Sequence, residues 1–379
     1  MNEQKAVPHI RYKGFEGKWK NLALGKITKF INGRAFKQSE LLDYGKYQVL
    51  RVGNFYTNNA WYYSNLELPE KYYANKGDLL FTWSATFGPH IWEGNKVIYH
   101  YHIWKLELAP FVDKEFVLQL LLRDKDLLTN NTNGSTMIHI TKSEMENKEV
   151  KIPSDFEQQK IGSLFTKLDK LLDLQQQKID KLELLKKSIL QKLFPKHDAK
   201  IPELRFKYFK DNWESKTFKN ILNYERPDKY IVKSDNYSNN GIPVLTANKS
   251  FILGYIQESN FYDKSLPVII FDDFTLDCKL VRFPFKIKSS AIKILSPNNF
   301  SDIWFDFYLL KATSFIKEGH ARHYISIVQN KIINVPRKIE QQKIGNLLSK
   351  VDQLIELENK KLHNLQQVKK CLLQNMFVE

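Results

Sequence analysis

A stretch of 38 residues occurs twice in this chain, and any fold the chain adopts has to accommodate both copies. Glu157-Gln158-Gln159-Lys160-Ile161-Gly162 returns as Glu340-Gln341-Gln342-Lys343-Ile344-Gly345. The match runs without a gap from Glu157–Phe194 to Glu340–Phe377, with 18 of the 38 paired positions identical. Repeats of this kind mark duplicated architecture and are read before any motif. Weaker echoes widen the duplication. Pro8-x-x-Arg11-Tyr12-Lys13-x-Phe15-x-x-x-Trp19 returns as Pro202-x-x-Arg205-Phe206-Lys207-x-Phe209-x-x-x-Trp213, and the heptapeptide 134–140 aligns with 319–325. Between these landmarks only the order of elements survives. Candidate strands 47–52, 78–83 and 96–108 precede a candidate helix 115–128 in the first half. Candidate strands 243–247, 267–274 and 290–295 precede helix 304–317 in the second. The predicted fold is therefore two mixed α/β globular domains, each followed by a long helix.

The repeated segment contains no proline and one glycine in each copy. Its apolar residues recur at heptad spacing, the signature of a coiled-coil seam. One stripe runs Ile161, Leu168, Gln175, Leu182, Ile189, and its copy runs Ile344, Val351, Glu358, Leu365, Leu372. At about 1.5 Å per residue each helix is about 57 Å long. Ser154-x-x-Glu157 has the spacing of a capping box, whereas the second copy has Arg337 at the serine position. The second domain begins shortly after the first helix ends and leads directly into the second helix. Because domain termini lie near one another, the helices are expected to pair antiparallel, with Gln175 and Glu358 meeting as a polar layer. Leu174 with Leu357, and Leu190 with Leu373, lie off the seam and are expected to face partner helices.

Charge points to the class of partner. Lys plus Arg outnumber Asp plus Glu by 58 to 42, a net +16, with a pI near 9.4. That excess favours a polyanion. No apolar run approaches the ~18 residues of a spanning helix, so nucleic acid is expected rather than a membrane. Cys278 and Cys371 are the only cysteines. Two thiols cannot make a disulfide framework or a four-thiolate zinc site, and a cytoplasmic setting is expected.

Catalytic signatures are sparse. The sequence has no Gly-x4-Gly-Lys-Ser/Thr loop and no glycine-rich turn for a nucleotide or methyl donor. His100-Tyr101-His102 is a strand-like His-x-His without a cysteine partner; such histidines are ordinarily satisfied side chains. Asp272 with Asp277-Cys278-Lys279 is a faint version of a metal-dependent nuclease core, at short spacing and without a counterpart in the first half. Residues able to read bases are better sought on loops of the divergent domains, where Arg pairs with guanine and Asn or Gln with adenine. The candidates are Arg34, Lys37, Arg51, Asn54, Trp83, Ser135 and His139 in the first domain. In the second they are Lys229, Asn248, Lys249, Lys279, Arg282, Arg322 and His323.

The repeated helix with its terminal Gln191…Phe194 and Gln374…Phe377, together with Gly77-Asp78-Leu79-Leu80-Phe81-Thr82, resembles the specificity subunit of type I restriction–modification enzymes. The resemblance extends over essentially the whole chain and implies two target recognition domains, residues 1–153 and 198–335. They would read the halves of a split site on double-stranded DNA and be separated by spacer helices at 154–197 and 336–379. It also implies one copy per complex, with two methyltransferase subunits docked on the helices and restriction (translocase) subunits outside them. S-adenosylmethionine, ATP and Mg would be held by those partners and no cofactor by this chain. Trp83-Ser84-Ala85 stands where the family often has Arg-Ser-Gly. The second domain has Ile269-Ile270-Phe271-Asp272-Asp273-Phe274-Thr275 in place of the Gly-Asp phrase, so two unlike half-sites are expected. The competing readings are a self-contained Mg-dependent nuclease or DNA methyltransferase, and a purely structural coiled-coil scaffold.

Overall fold

The computed structural model describes residues 7–56, 58–84, 86–131, 141–196, 199–246, 250–316 and 322–378, with backbone only at 126–131. The chain forms two compact units. One comprises residues 1–176 with 361–379, the other residues 177–360.

In the first unit a four-stranded antiparallel sheet has the order Thr28–Asn32, Ile103–Leu108, Leu79–Thr82, Gly88–Ile91. Beside it lies a second sheet, in which Tyr47–Leu50 runs parallel to Val97–Tyr99. The second unit repeats this plan from different residues. Its antiparallel sheet is ordered Leu222–Glu225, Ile292–Pro297, Val268–Asp272, Cys278–Val281. Its parallel pair is Ile242–Leu245 with Lys286–Ile287. Topology has outlasted the sequence that first specified it.

Among the described residues the four α-helices of ten residues or more are α1 (Lys114–Asn131), α2 (Asp155–Leu193), α3 (Ile303–Ala312) and α4 (Lys338–Asn375). Helices α2 and α4 are the repeated segment. In the first unit the start of α2 (Ile161, Phe165) and the end of α4 (Leu373, Met376, Phe377) are buried in one core with Trp19, Phe30, Phe116 and Leu121. In the second, the end of α2 (Leu193, Phe194) and the start of α4 (Ile344, Leu348) join Trp213, Phe218, Phe305 and Tyr308. Each domain thus closes over the beginning of its own helix and the end of the other. That arrangement requires the helices to run antiparallel. Ion pairs agree: Lys369 meets Asp169 at 2.5 Å in the first unit, and Lys186 meets Asp352 at 2.5 Å in the second. Rising numbers on one helix meet falling numbers on the other, since Lys178 bonds Glu358 at 2.9 Å.

The repeated hexapeptide is a set of docking contacts. Glu157 accepts two 2.8 Å hydrogen bonds from Arg11, and Glu340 two of 2.8 Å from Arg205. Gln158 accepts from the Asp113 amide and donates to the Pro153 carbonyl, and Gln341 does the same with Asp302 and Pro336. A Cβ at Gly162 would stand 2.5 Å from Asp113 Oδ1 and 2.9 Å from the Phe116 nitrogen. At Gly345 it would stand 2.8 Å from Asp302 Oδ1 and 2.9 Å from the Phe305 nitrogen. Only glycine lets α1 and α3 come this close.

Several expectations need correcting. The capping box at Ser154 is half formed: Ser154 Oγ accepts from the Glu157 amide at 3.4 Å, but the Glu157 carboxylate is taken by Arg11. Leu373 does not face outward; it is buried in the first core, and Leu190 packs against the second. The last turn of each helix is wrapped by a domain, so an off-seam position there is an inward one. The strand expected over 96–108 is two strands broken by a turn at 100–102. In the coil, Glu358 is buried and held by Lys178. Ile161 and Ile344 are buried, while Leu168, Gln175, Leu182, Ile189, Val351, Leu365 and Leu372 are half-buried along the seam.

Candidate nucleic-acid interface

In the first domain the parallel strand Val97–Tyr99 ends in the turn His100-Tyr101-His102, and four sequence-predicted residues differ in how they meet it. Arg34 is built into its base: its amide donates to the Tyr99 carbonyl, and its carbonyl accepts from the Tyr101 amide at 3.0 Å. The Arg34 guanidinium is spent on Glu40 at 2.7 Å and lies 5.2 Å from the Phe36 ring centre. Arg51 follows the strand whose Leu50 carbonyl accepts from the His100 amide at 2.9 Å. Its guanidinium sits 4.2 Å over Tyr62 and donates to the Ala60 carbonyl. Trp83 donates through Nε1 to the Tyr101 carbonyl at 2.9 Å and through its amide to the His102 carbonyl at 3.2 Å. Asn54 is consumed locally: its carbonyl accepts from the Arg51 amide and its NH2 donates to the Asn58 and Ala60 carbonyls. The Lys37 side chain is exposed, while its amide donates at 2.8 Å to the Glu40 carboxylate that also holds Arg34.

The histidines carry no metal signature. Among the described residues no group of three or more His, Cys, Asp or Glu is placed to hold an ion. Burial pushes His100 down to about 4, helped by His102 and Arg51. Burial likewise holds His90 at about 4, with Lys125 adding to the shift, while the ring stacks 4.1 Å from Phe55. Both imidazoles are neutral at ordinary pH and interact through hydrogen bonds and stacking rather than charge.

In the second domain the equivalent turn follows Lys286–Ile287. Lys288 donates its amide to the Leu245 carbonyl at 3.2 Å, as His100 does to Leu50. Arg322 reaches the same turn, 3.5 Å from Ser290 Oγ. His323 is not a surface reader. It is fully buried and holds the Asp273 carbonyl through Nδ1 at 2.8 Å. Lys279 lies on the strand Cys278–Val281, and Arg282 rests 4.3 Å from the Trp304 ring of α3, so neither joins the turn. Lys229 is exposed in a separate short helix. Ser135, His139, Asn248 and Lys249 lie outside the described residues. Lys288 is a turn residue that sequence reasoning missed, because the two-residue strand Lys286–Ile287 before it fell outside the candidate strands.

The carboxylates that suggested a nuclease are structural. Asp272 accepts from the amides of Phe274 and Thr275, and Asp277 pairs with Lys311 at 2.7 Å. Burial drives the Cys278 thiol up to about 12, removing its nucleophilicity.

The family described as Type I restriction modification DNA specificity domain matches this chain twice, over residues 16–184 and 210–367. The chain belongs to that family. A DNA specificity domain recognises a DNA target sequence, and two copies make the chain a recognition component rather than a catalyst. It is 38% identical over 143 residues to the EcoR124I/EcoR124II specificity subunit of Escherichia coli, covering 36% of this chain and 35% of that one. It is 25% identical over 415 positions to the MjaVIII specificity subunit of Methanocaldococcus jannaschii, covering 94% and 91%. The match thus spans about a third of the first relative and nearly all of the second. The fold is that of the type I S subunit from M. genitalium, with a TM-score of 0.67 at 16% identity over 98% of this chain and 99% of that one.

Proposed function

We propose that the chain reads a bipartite DNA site, one half per domain, and brings methyltransferase and restriction subunits of a type I complex to it. What supports this most is the contrast within the duplication. Contacts that seat each domain on its helices are kept atom for atom at Arg11–Glu157 and Arg205–Glu340. The turns the domains present, His100–His102 and Lys288–Ser290, share no residue type. Selection that preserves mounting and varies presentation is what two different half-sites demand.

The partner surface lies on the helices. Phe156, Leu171 and Leu174 on α2 are exposed, and so are Ile339, Leu354 and Leu357 at the repeat-equivalent positions of α4. At about 100° per residue each trio falls within about 60° of arc. Exposed Lys160 and Lys167, and Lys343 and Lys350, lie on the same faces. Exposed apolar residues repeated with their lysines fit two copies of one partner offering an apolar patch with an acidic rim. Methyl donor, ATP and Mg belong to such partners in this reading, and one specificity chain serves each complex. Recognition of DNA in this way would place the complex in the cytoplasm. No helix of the described residues is long and apolar enough to cross a membrane.

Methylome sequencing of cells with and without the gene tests the proposal. A split methylated motif that disappears with the gene is the expected result. An unchanged methylome together with salt-insensitive duplex binding by the purified chain would favour the scaffold reading instead.

A further inference from the structure

The two turns occupy one frame. In both domains the residue after the parallel strand donates to the neighbouring strand's last carbonyl: His100 to Leu50 at 2.9 Å, Lys288 to Leu245 at 3.2 Å. On the other side Arg34 donates to the Tyr99 carbonyl and Val232 to the Ile287 carbonyl, each at 3.0 Å. The far end is closed by Trp83 donating to the His102 carbonyl at 3.2 Å and by Asp273 donating to the Ala291 carbonyl at 3.0 Å. Sheet register makes the correspondence firm, since Phe81 pairs with Trp104 where Phe271 pairs with Lys293. Trp83 and Trp104 therefore match Asp273 and Lys293.

Those two positions support the turn by opposite chemistry. In the first domain Trp83 stacks on Trp104, with ring centres 5.6 Å apart and planes 17° apart. In the second, Asp273 and Lys293 form a 3.1 Å ion pair with both side chains buried. Lys293 also donates to the Ser290 carbonyl at 3.1 Å, inside the turn it supports. A buried pair of this kind, satisfied by additional hydrogen bonds, holds one geometry. The main chain of each turn is thus fixed on both sides. What it offers outward differs: Tyr101, 38% exposed with its main-chain amide and carbonyl already bonded, against exposed Ser289 and Arg322 and a half-buried Lys288 whose ammonium is paired with Asp235.

We infer that these two turns are the specificity-determining elements, with Tyr101 reading the first half-site and Lys288 with Ser289 reading the second. Trp83–Trp104 and Asp273–Lys293 act as positioning pairs beneath them. A rigid backbone with a tyrosine ring packed 3.9 Å from His102 and 4.5 Å from His100, and still partly exposed, makes a low-entropy reader by hydroxyl and ring contact. On DNA the Lys288 ammonium would exchange Asp235 for a base edge, donating to guanine O6 and N7 beside the Ser289 hydroxyl. The inference rests on the bipartite-recognition reading but goes further, assigning each half-site to one short turn.

The test replaces the chromosomal gene with Tyr101→Ala, Tyr101→Phe or Lys288→Ala and sequences the methylome. Tyr101→Ala should relax one or two base positions of one half-site, with discrimination there falling roughly 5- to 100-fold, and leave the other half and the spacing intact. Tyr101→Phe keeps the ring and should give a smaller loss at the same positions. Lys288→Ala should relax the other half-site. A wild-type strain without a split motif would refute bipartite recognition itself. A wild-type motif that survives unchanged in Tyr101→Ala and Lys288→Ala would overturn the assignment while leaving that recognition in place. Loss of both half-sites together in either variant would also overturn it, because it would mark the turn as structural.

Discussion

Arg11 grips Glu157 through two nitrogens at 2.8 Å each, and the carboxylate it grips is almost wholly buried. The same guanidinium donates to the Gly17 and Glu16 carbonyls, so one side chain ties the entry of the first domain to the first turn of α2. Arg205 and Glu340 repeat the grip in the second unit. Removing the arginine strands a buried charge, a change that costs about 3–5 kcal/mol. Arg11→Ala should lower the stability of the first unit by about 3 kcal/mol and leave amide-exchange protection of the second unaltered. Arg205→Ala should do the reverse. Lysine cannot supply the two-nitrogen fork, so Arg11→Lys should recover less than half of the loss.

Opposite pH responses are expected of the two units. His90 and His100 are held at about 4, below their ordinary 6.5. The unfolded first unit therefore binds more protons between those values, and its stability falls as pH drops from about 6.5 to about 4. Asp306 on α3 is fully buried, and that burial raises it well above 3.8 against the opposing pull of the Ser301 side chain. Asp302, Lys338, Ser301 and Tyr324 are the polar groups that bear on it. The folded second unit therefore holds a proton the unfolded chain gives up, and its stability falls as pH rises from about 4 toward the raised value. Residue-resolved hydrogen exchange at a series of pH values checks both slopes. Asp306→Val, which copies Val117 at the equivalent place in α1, should abolish the alkaline one.

Partner docking should fail when the repeated apolar face is charged. Leu174 and Leu357 are about half exposed, 51% and 50%, so replacing both by Asp should leave each unit folded. Co-purification of a modification subunit should be lost. Wild-type stoichiometry in that double variant would place the docking surface elsewhere.

Helix length should set the spacing of the methylated half-sites. Four residues inserted after Leu174 and four after Leu357 add about 6 Å of rise to each helix at about 1.5 Å per residue. That is nearly two base pairs at about 3.4 Å each. The methylated motif should keep both half-sequences and gain one or two base pairs between them. An active variant with an unchanged spacer would show that another element measures the distance.

Much of this molecule was readable in the sequence, because repetition exposes what both copies must share. The helices, their antiparallel course and the two mixed domains followed from residues 157–194 and 340–377 and from chain connectivity. What stayed hidden depended on contacts between distant residues. His323 looked like a loop reader and is a buried prop for Asp273, since nothing local announces the strand it packs behind. Leu373 looked outward because heptad counting treats a helix as evenly surrounded, whereas the final turn is enclosed by Trp19 and Phe116 through Phe377. Asp273 and Lys293 gave no sign of replacing two tryptophans until the strands were in register.

The placement of Phe377 against Phe116 and Trp19 also has a consequence for how the protein is made. On the ribosome, the first domain's apolar centre is complete only after some 210 further residues have been added beyond Phe165. At about 20 residues per second that is a wait of about 11 seconds, during which part of the Trp19–Phe165 surface has no cover. A message cut within the second domain therefore yields a first domain that stays open to proteases. A chain translated through Val378 is the first to carry every residue of that core.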